Sequence, residues 1–259
     1  MSSAKDQAVC IGTVKYSESS QIVTLFCRDH GKIRAIAKGS RRPKGQFGGG
    51  IELLSAGEVI FTPVHGERSL ATLHEFDLTE PFFPLRQSLL GLTCAQYAGD
   101  LLNQFTEEDD PHAELYDLFY ETLRGFGETA RPAAILLAFE LTLLAEVGLA
   151  PVWRRCSACS GKLPDLQAGG TTELRQLYFS SGSGGMLCRD CEPAVVEKRF
   201  LEPEVLALLQ GEDDSASAGL PSVLAAQELL SYHIRELLGK QSKMMVFVNR
   251  LLRQQEKAT

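Results

Sequence analysis

Two cysteine pairs constrain this chain more than any other feature. Cys156-Ser-Ala-Cys159 and Cys188-Arg-Asp-Cys191 share a Cys-x-x-Cys spacing that turns two thiolates toward one point. Two such knuckles supply the tetrahedral sulfur set that zinc accepts at about 2.3 Å. Any fold of the chain must therefore bring residues 156–159 back against 188–191. The intervening segment, 160–187, exceeds the roughly 15–20 residues common between paired knuckles. It contains LYFSSGSGGML (177–187), which reads as a β-hairpin whose Gly-rich turn delivers the second pair to the first. Gly161 follows the first pair, where tolerance of positive φ eases the turn.

Four thiolates close the coordination sphere and leave no position for water, so the predicted role is one structural Zn2+ on Cys156, Cys159, Cys188 and Cys191. Arg154, Arg155, Lys162 and Arg189 stand near in sequence to offset the negative charge of such a centre. A redox dithiol is the competing reading, but it needs one motif at a strand–helix junction, not two flanking a hairpin. Cys10, Cys27 and Cys94 lie in strand or helix patterns and are predicted to be small buried hydrophobes. Seven cysteines used this way fit a reducing compartment better than a disulfide framework.

Around the cysteines the chain changes texture. VCIGTVKY, SQIVTLFCRD, GKIRAIAK, GEVIFTPV and RSLATLHEFDL, within residues 8–78, are short, β-branched and separated by turn residues. Five strands in that length predict an OB-like barrel over residues 1–80. From residue 84 the apolar spacing becomes three and four, in PLRQSLLGLTCAQYAGDLLNQF, HAELYDLFYETLRGFG and RPAAILLAFELTLLAEVG. Helical spacing resumes after the cysteines, in PAVVEKRFLEPEVLALLQ, SVLAAQELLSYHIRELLG and KMMVFVNRLLRQQ. The segment GEDDSASAG (211–219) reads as a loop. The predicted fold is thus multi-domain α and β: an OB-like barrel, then a helical domain over 81–259 carrying an inserted four-cysteine zinc module at about 150–195. No run reaches the roughly 18–20 apolar residues of a membrane span, and MSSAKDQAVCIGTVKY lacks the apolar core of a signal peptide. The expected location is the cytoplasm.

The stretch GKIRAIAKGSRRPKG (31–45) holds Lys32, Arg34, Lys38, Arg41, Arg42 and Lys44 and no acid, in a chain of formal net charge −7. A period of two puts Lys32, Arg34 and Lys38 on one strand face and Ile33, Ala35 and Ala37 on the other, toward the barrel core. Ser40 to Gly45 would continue as a mobile loop beside the cationic face. Long cations on such a surface can track a phosphate backbone without fixed base geometry. The six basic residues are therefore the candidate DNA-binding set, with Tyr16, Phe26 and Phe47 the nearest aromatics, Phe26 more in the manner of a core residue. A solvated edge strand kept from aggregating by its lysines is the bland alternative.

Motifs for catalysis are missing. There is no GxxxxGK[ST], HExxH or GxSxG, and GQFGGG (45–50) has neither a lysine-plus-hydroxyl nor a GxGxxG spacing. His30, His65, His74, His112 and His233 are scattered, and Glu107, Glu108, Asp109 and Asp110 read as a solvated interhelical loop. A metal-dependent nuclease would need an open metal position or a carboxylate cluster. The remaining rival is a zinc-ribbon adaptor that binds only proteins.

The order of parts resembles the bacterial RecO family of recombination mediators along nearly the whole chain. YSESSQIVTLFCRDHGKIRAIAKGSRRPKG is similar to that family's strand, Gly turn, strand and basic loop. QYAGDLLNQFTEEDDPHAELYDLFYETLRGF resembles its first helical segment, and FELTLLAEVGLAPVWRRCSACSG…GGMLCRDC resembles the helix leading into its cysteine site. The resemblance implies an OB fold, a helical domain with zinc, no catalysis, and a place at the nucleoid. It further implies binding of single- and double-stranded DNA, annealing, and recombinase loading with RecR. The acidic tail of single-stranded-DNA-binding protein would be a further partner. Arg235, Lys240 and Lys243 are candidate rim residues for that tail. Ser160 departs from the Gly that commonly follows the second cysteine in the family, and Gly161 is expected to serve instead.

Overall fold

A computed structural model describes residues 3–42, 47–64, 69–129, 131–163, 177–211, 215 and 217–258. The chain packs as two compact units, Met1–Ala130 and Arg131–Thr259.

The first unit opens with strands β1 (Ala4–Lys15), β2 (Gln21–Cys27), β3 (Gly31–Ala37), β4 (Ala56–Thr62) and β5 (Ala71–Glu80). They close into a barrel in the order β1-β2-β3-β5-β4, with β3 and β5 parallel and the other pairs antiparallel. β1 begins earlier than its apolar pattern announces, because Ala4–Val9 pair with β4 while Ala8–Lys15 pair with β2. A bulge between Cys10 and Gly12 lets one strand serve both neighbours. The extra residue, Ile11, is turned toward Gly99 of the first helix. Inside, Val23, Leu25, Cys27, Ile33, Ala35 and Ala37 alternate as a period of two requires, and the alanines leave room for Phe61.

Two helices complete this unit, α1 (Leu89–Phe105) and α2 (Ala113–Glu128). Ser88 caps α1 by accepting from the Gly91 amide at 3.0 Å. Gly91 is required there, since a Cβ would lie 2.6 Å from the Phe126 carbonyl of α2. α2 lies over the outer end of the barrel, where Phe26 meets Tyr116 with ring centroids 6.3 Å apart. Arg28 clamps Asp117 of α2 through two hydrogen bonds, 2.9 and 2.7 Å. These helices therefore pack with the barrel, and the compact unit that contains it runs on through α2.

In the second unit α3 (Pro132–Glu146) and α5 (Leu220–Leu238) form the centre, joined by α4 (Pro203–Leu209) and α6 (Lys243–Ala258). α3 buries Leu136, Leu137, Phe139, Leu143 and Leu144, as its nearly uniform apolarity predicts. Its one buried carboxylate, Glu140, accepts from the Gln227 amide of α5 at 2.6 Å. A small sheet in the order β7-β6-β8 is built from β6 (Leu177–Ser180), β7 (Gly185–Leu187) and β8 (Arg199–Leu201). β6 and β7 are the expected hairpin. β8 corrects the helical reading of residues 193–210: Arg199–Leu201 pair with β6, and helix begins only at Pro203. Trp153 stacks on Phe179 at 5.3 Å, and Phe179 meets the buried His233 of α5 edge-on. His233 also shares a 2.8 Å hydrogen bond with Ser181, and burial holds its imidazole pKa below the ordinary value. These contacts seat the cysteine region on the helices. Among the described residues, no helix is long and apolar enough to cross a membrane.

Candidate metal centre and candidate nucleic-acid interface

The four paired cysteines converge. The sulfurs of Cys156, Cys159, Cys188 and Cys191 all lie within 4.8 Å of one another, and those of Cys159 and Cys188 are 3.6 Å apart. A tetrahedron with arms of about 2.3 Å has edges of about 3.8 Å, so the spacing suits one ion bound by four thiolates. The backbone creates this convergence by joining the first knuckle to the hairpin. Val152 donates to the Gly184 carbonyl at 2.9 Å, Met186 donates to Val152 at 2.9 Å, and Ser157 donates to Met186 at 2.8 Å. Gly185 permits the approach, with φ +156° and a virtual Cβ 2.5 Å from the Val152 carbonyl. These bonds set the first knuckle beside the second strand of the hairpin.

Each knuckle is a tight turn. Ser160 donates to Cys156 O at 2.8 Å and Cys156 to Gly161 O at 2.9 Å; Glu192 donates to Cys188 O at 2.9 Å. The left-handed conformation expected at Gly161 falls on Ser160 instead, at φ +60°. The Gly161 amide points at the Cys159 sulfur, 3.4 Å away.

The electrostatics call for a cation. Burial raises the Cys156 thiol pKa, but amides of Cys188, Cys159 and Ala158 outweigh it and bring the group down to about 6. Cys191 is driven the other way, to about 12, because it hydrogen-bonds the sulfurs of Cys188 and Cys159. Negative charge is thus opposed at Cys191, and a divalent cation among the sulfurs would offset it. Arg154, Arg155, Lys162 and Arg189 are all exposed around the site. Cys10, Cys27 and Cys94 are fully buried, Cys10 with its pKa pushed up to about 12 by desolvation.

The basic segment divides into three fates. Arg34, Lys38, Arg41 and Arg42 are exposed, whereas Lys44 lies outside the described residues. Lys32 does not belong to the free face: it is 7% exposed, and its ammonium donates to the carbonyls of Asn103 at 2.7 Å and Thr106 at 2.5 Å. It closes the C-terminus of α1, where a cation meets unpaired carbonyls and the negative end of the helix dipole. Its desolvation lowers its pKa. The strand period gives Lys32 the right face, but the end of α1 and the following loop cover that part of the face.

The root of the basic loop is pinned, not mobile. Gly39 donates to Ser20 Oγ at 3.1 Å, Ser40 to Gln21 Oε1 at 3.0 Å, and the Arg41 amide to Ser19 O at 3.1 Å. Gln21 is the residue that sequence reasoning missed. It is a polar side chain at an inward strand position, and it also bonds both backbone groups of Ile51. The contradiction between its inward register and its polarity was the available signal. Of the three aromatics, Phe26 is core and Phe47 packs against the barrel interior; Tyr16 is 62% exposed. Arg235 lies over the Tyr232 ring and pairs with Glu236, while Lys240 and Lys243 are exposed.

The sequence matches two family models, "Recombination protein O N terminal" over residues 1–82 and "Recombination protein O C terminal" over residues 86–245. A protein of Myxococcus xanthus called DNA repair protein RecO is 31% identical over 245 residues, covering 94% of this chain and 96% of that one. One of the same name from Anaeromyxobacter dehalogenans is 32% identical over 264 residues, covering 97% and 98%. A third, from Rhodopirellula baltica, is 34% identical over 187 residues, covering 72% and 66%. On these matches the chain, with its closed five-strand barrel, helical region and four-cysteine cluster, belongs to the recombination protein O family of DNA repair proteins.

Proposed function

We propose that the chain is a non-enzymatic recombination mediator. It binds single- and double-stranded DNA through the barrel, anneals complementary strands and helps load recombinase onto protein-coated single strands. The observation that carries this reading is the cationic surface of Arg34, Lys38, Arg41 and Arg42, held in place by the Ser20 and Gln21 bonds at its loop root. Phosphates held on that surface lose part of their mutual repulsion, which lets complementary bases meet. The cysteine cluster holds one structural Zn2+ on Cys156, Cys159, Cys188 and Cys191, which ties the hairpin to the helices. In this division residues 1–80 hold DNA, and 81–259, with the zinc insertion at about 150–195, serve protein partners. Those partners are RecR and the acidic tail of single-stranded-DNA-binding protein, met in the cytoplasm at the nucleoid. Arg235, Lys240 and Lys243 are candidate contacts for the tail.

Joint replacement Arg41→Ala and Arg42→Ala tests the reading. It is expected to weaken DNA binding on every sequence alike and to flatten the salt dependence by about 1.4 in log–log slope on single strands, for two contacts at about 0.7 each. A loss confined to one sequence contradicts backbone recognition. Unchanged affinity would favour the protein-only adaptor.

A further inference from the structure

The outer face of the barrel is covered at one end and bare at the other. Phe26 and Lys32 lie beneath α2 and the end of α1. Farther along the same face, the register places Val14 opposite Ile22 and Ile22 opposite Ile36, with Thr72 of β5 next to Ile36. Three apolar side chains thus form a row across three strands, with neighbouring strands about 4.8 Å apart. Val14 is 64% exposed, Ile22 and Ile36 are half-buried, and the exposed Tyr16 stands just beyond Val14 on the same strand run.

This row lies within the cationic surface. Arg34 and Lys38 each stand two residues from Ile36 along β3 and beyond, roughly 7 Å to either side. The Arg41 amide is bonded to Ser19, in the hairpin turn that follows Tyr16. The acid in that turn, Glu18, is paired with Lys15 at 2.6 Å. Apolar surface ringed by exposed cations is poorly matched to an ordinary protein core and well matched to a chain with flat apolar faces and a negative backbone.

We propose that Val14, Ile22 and Ile36 form a base-contacting strip for single-stranded nucleic acid, with Tyr16 as its stacking ring. The inference rests on the proposed DNA-binding role of the same face. A duplex hides its base faces, so the strip contributes only when the strand is single, whereas the cations serve both forms. Stacking releases no counterions. The strip therefore adds affinity without steepening the salt dependence.

Tyr16 is exposed enough to be replaced without disturbing the fold. Tyr16→Ala and Tyr16→Phe are compared with the unaltered protein on a labelled oligothymidylate and on a duplex, each across a salt series. A 5-iodouracil oligonucleotide is photocrosslinked in parallel and the adduct mapped. Base stacking on an aromatic is worth about 1–3 kcal/mol per base, or roughly 5- to 150-fold. The expected result is a loss in that range for Tyr16→Ala on the single strand alone, at unchanged salt slope. Tyr16→Phe should restore binding, and the adduct should fall on Tyr16. Equal losses on single strand and duplex, or no loss at all, overturn the strip while leaving cationic DNA binding intact, and would point to a protein on the row. Failure of the unaltered protein to bind either nucleic acid overturns the strip together with the function it rests on.

Discussion

Replacing Cys156 with Ser is expected to abolish metal binding and to destabilise the second unit by roughly 4 kcal/mol or more, in the range reserved for loss of a structural metal or a core. The size follows from how little else orders the knuckle end of the module. Its local core is Cys156, Leu187 and Cys188, with Leu163, Cys191 and Val195 packed against them. Two of its strands have only three residues each, Gly185–Leu187 and Arg199–Leu201. Apolar burial on that scale cannot offset the entropy of ordering the knuckles. Structural zinc in finger peptides contributes about 10–16 kcal/mol of apparent binding energy, and that energy is folding energy. Cys156 is also the innermost of the four, with its thiol pKa held down at about 6, so Ser there removes the anchor of the set. Metal per chain by elemental mass spectrometry should fall from one to near zero, with a lower melting transition by circular dichroism. Full metal content with an unchanged melt contradicts the assignment.

The second large effect is expected at Gly31, the first residue of β3, where the turn from β2 ends. Gly31→Ala should cost about 3–5 kcal/mol, because two penalties coincide. The residue sits at φ +68°, which alone costs a non-Gly residue about 1–2 kcal/mol. A Cβ would also lie 2.0 Å from the Asp110 carbonyl oxygen and 2.4 Å from its carbon. Those are backbone atoms, which cannot swing aside as a side chain can. Moving them would strain the 3.0 Å bond from the Asp109 amide to Lys32 O, and with it the seat of Lys32 on the end of α1. Gly148→Ala is the control. It has a similar φ of +72° but nothing within 4 Å of its Cβ, so the backbone penalty of about 1–2 kcal/mol should stand alone. Equal losses at the two positions in urea unfolding would mean that the loop 106–110 does not press on the turn.

Local chemistry made much of this molecule legible from residues. Alternation in QIVTLFC and GKIRAIA announced the barrel strands, and the spacing of three and four in RPAAILLAFELTLLAEVG and SVLAAQELLSYHIRELLG announced α3 and α5. The cysteine spacing announced the cluster that forms. What stayed hidden depends on partners distant in sequence. The helical spacing of residues 193–210 is real, yet β6 offers Arg199–Leu201 a ladder, and tertiary pairing overrides local preference. Lys32 shows the same limit on the candidate interface: strand period assigns a face but cannot say that α1 ends there. Tyr16 could be seen in advance only as an aromatic near the cations. The row it extends emerges from the cross-strand register of β1, β2 and β3, which no single segment encodes.

The central claim, that the barrel's cationic face holds nucleic-acid backbone, is tested most directly by binding of a labelled single-stranded oligonucleotide across a salt series. With Lys32 engaged by α1, the contributing cations are Arg34, Lys38, Arg41, Arg42 and, outside the described residues, Lys44. At about 0.7 per phosphate contact on single strands, four or five contacts give a log–log slope between about −2.8 and −3.5. A slope in that interval is the predicted result. No binding at low salt, or affinity indifferent to salt, would contradict the account and leave a barrel whose basic face has another purpose.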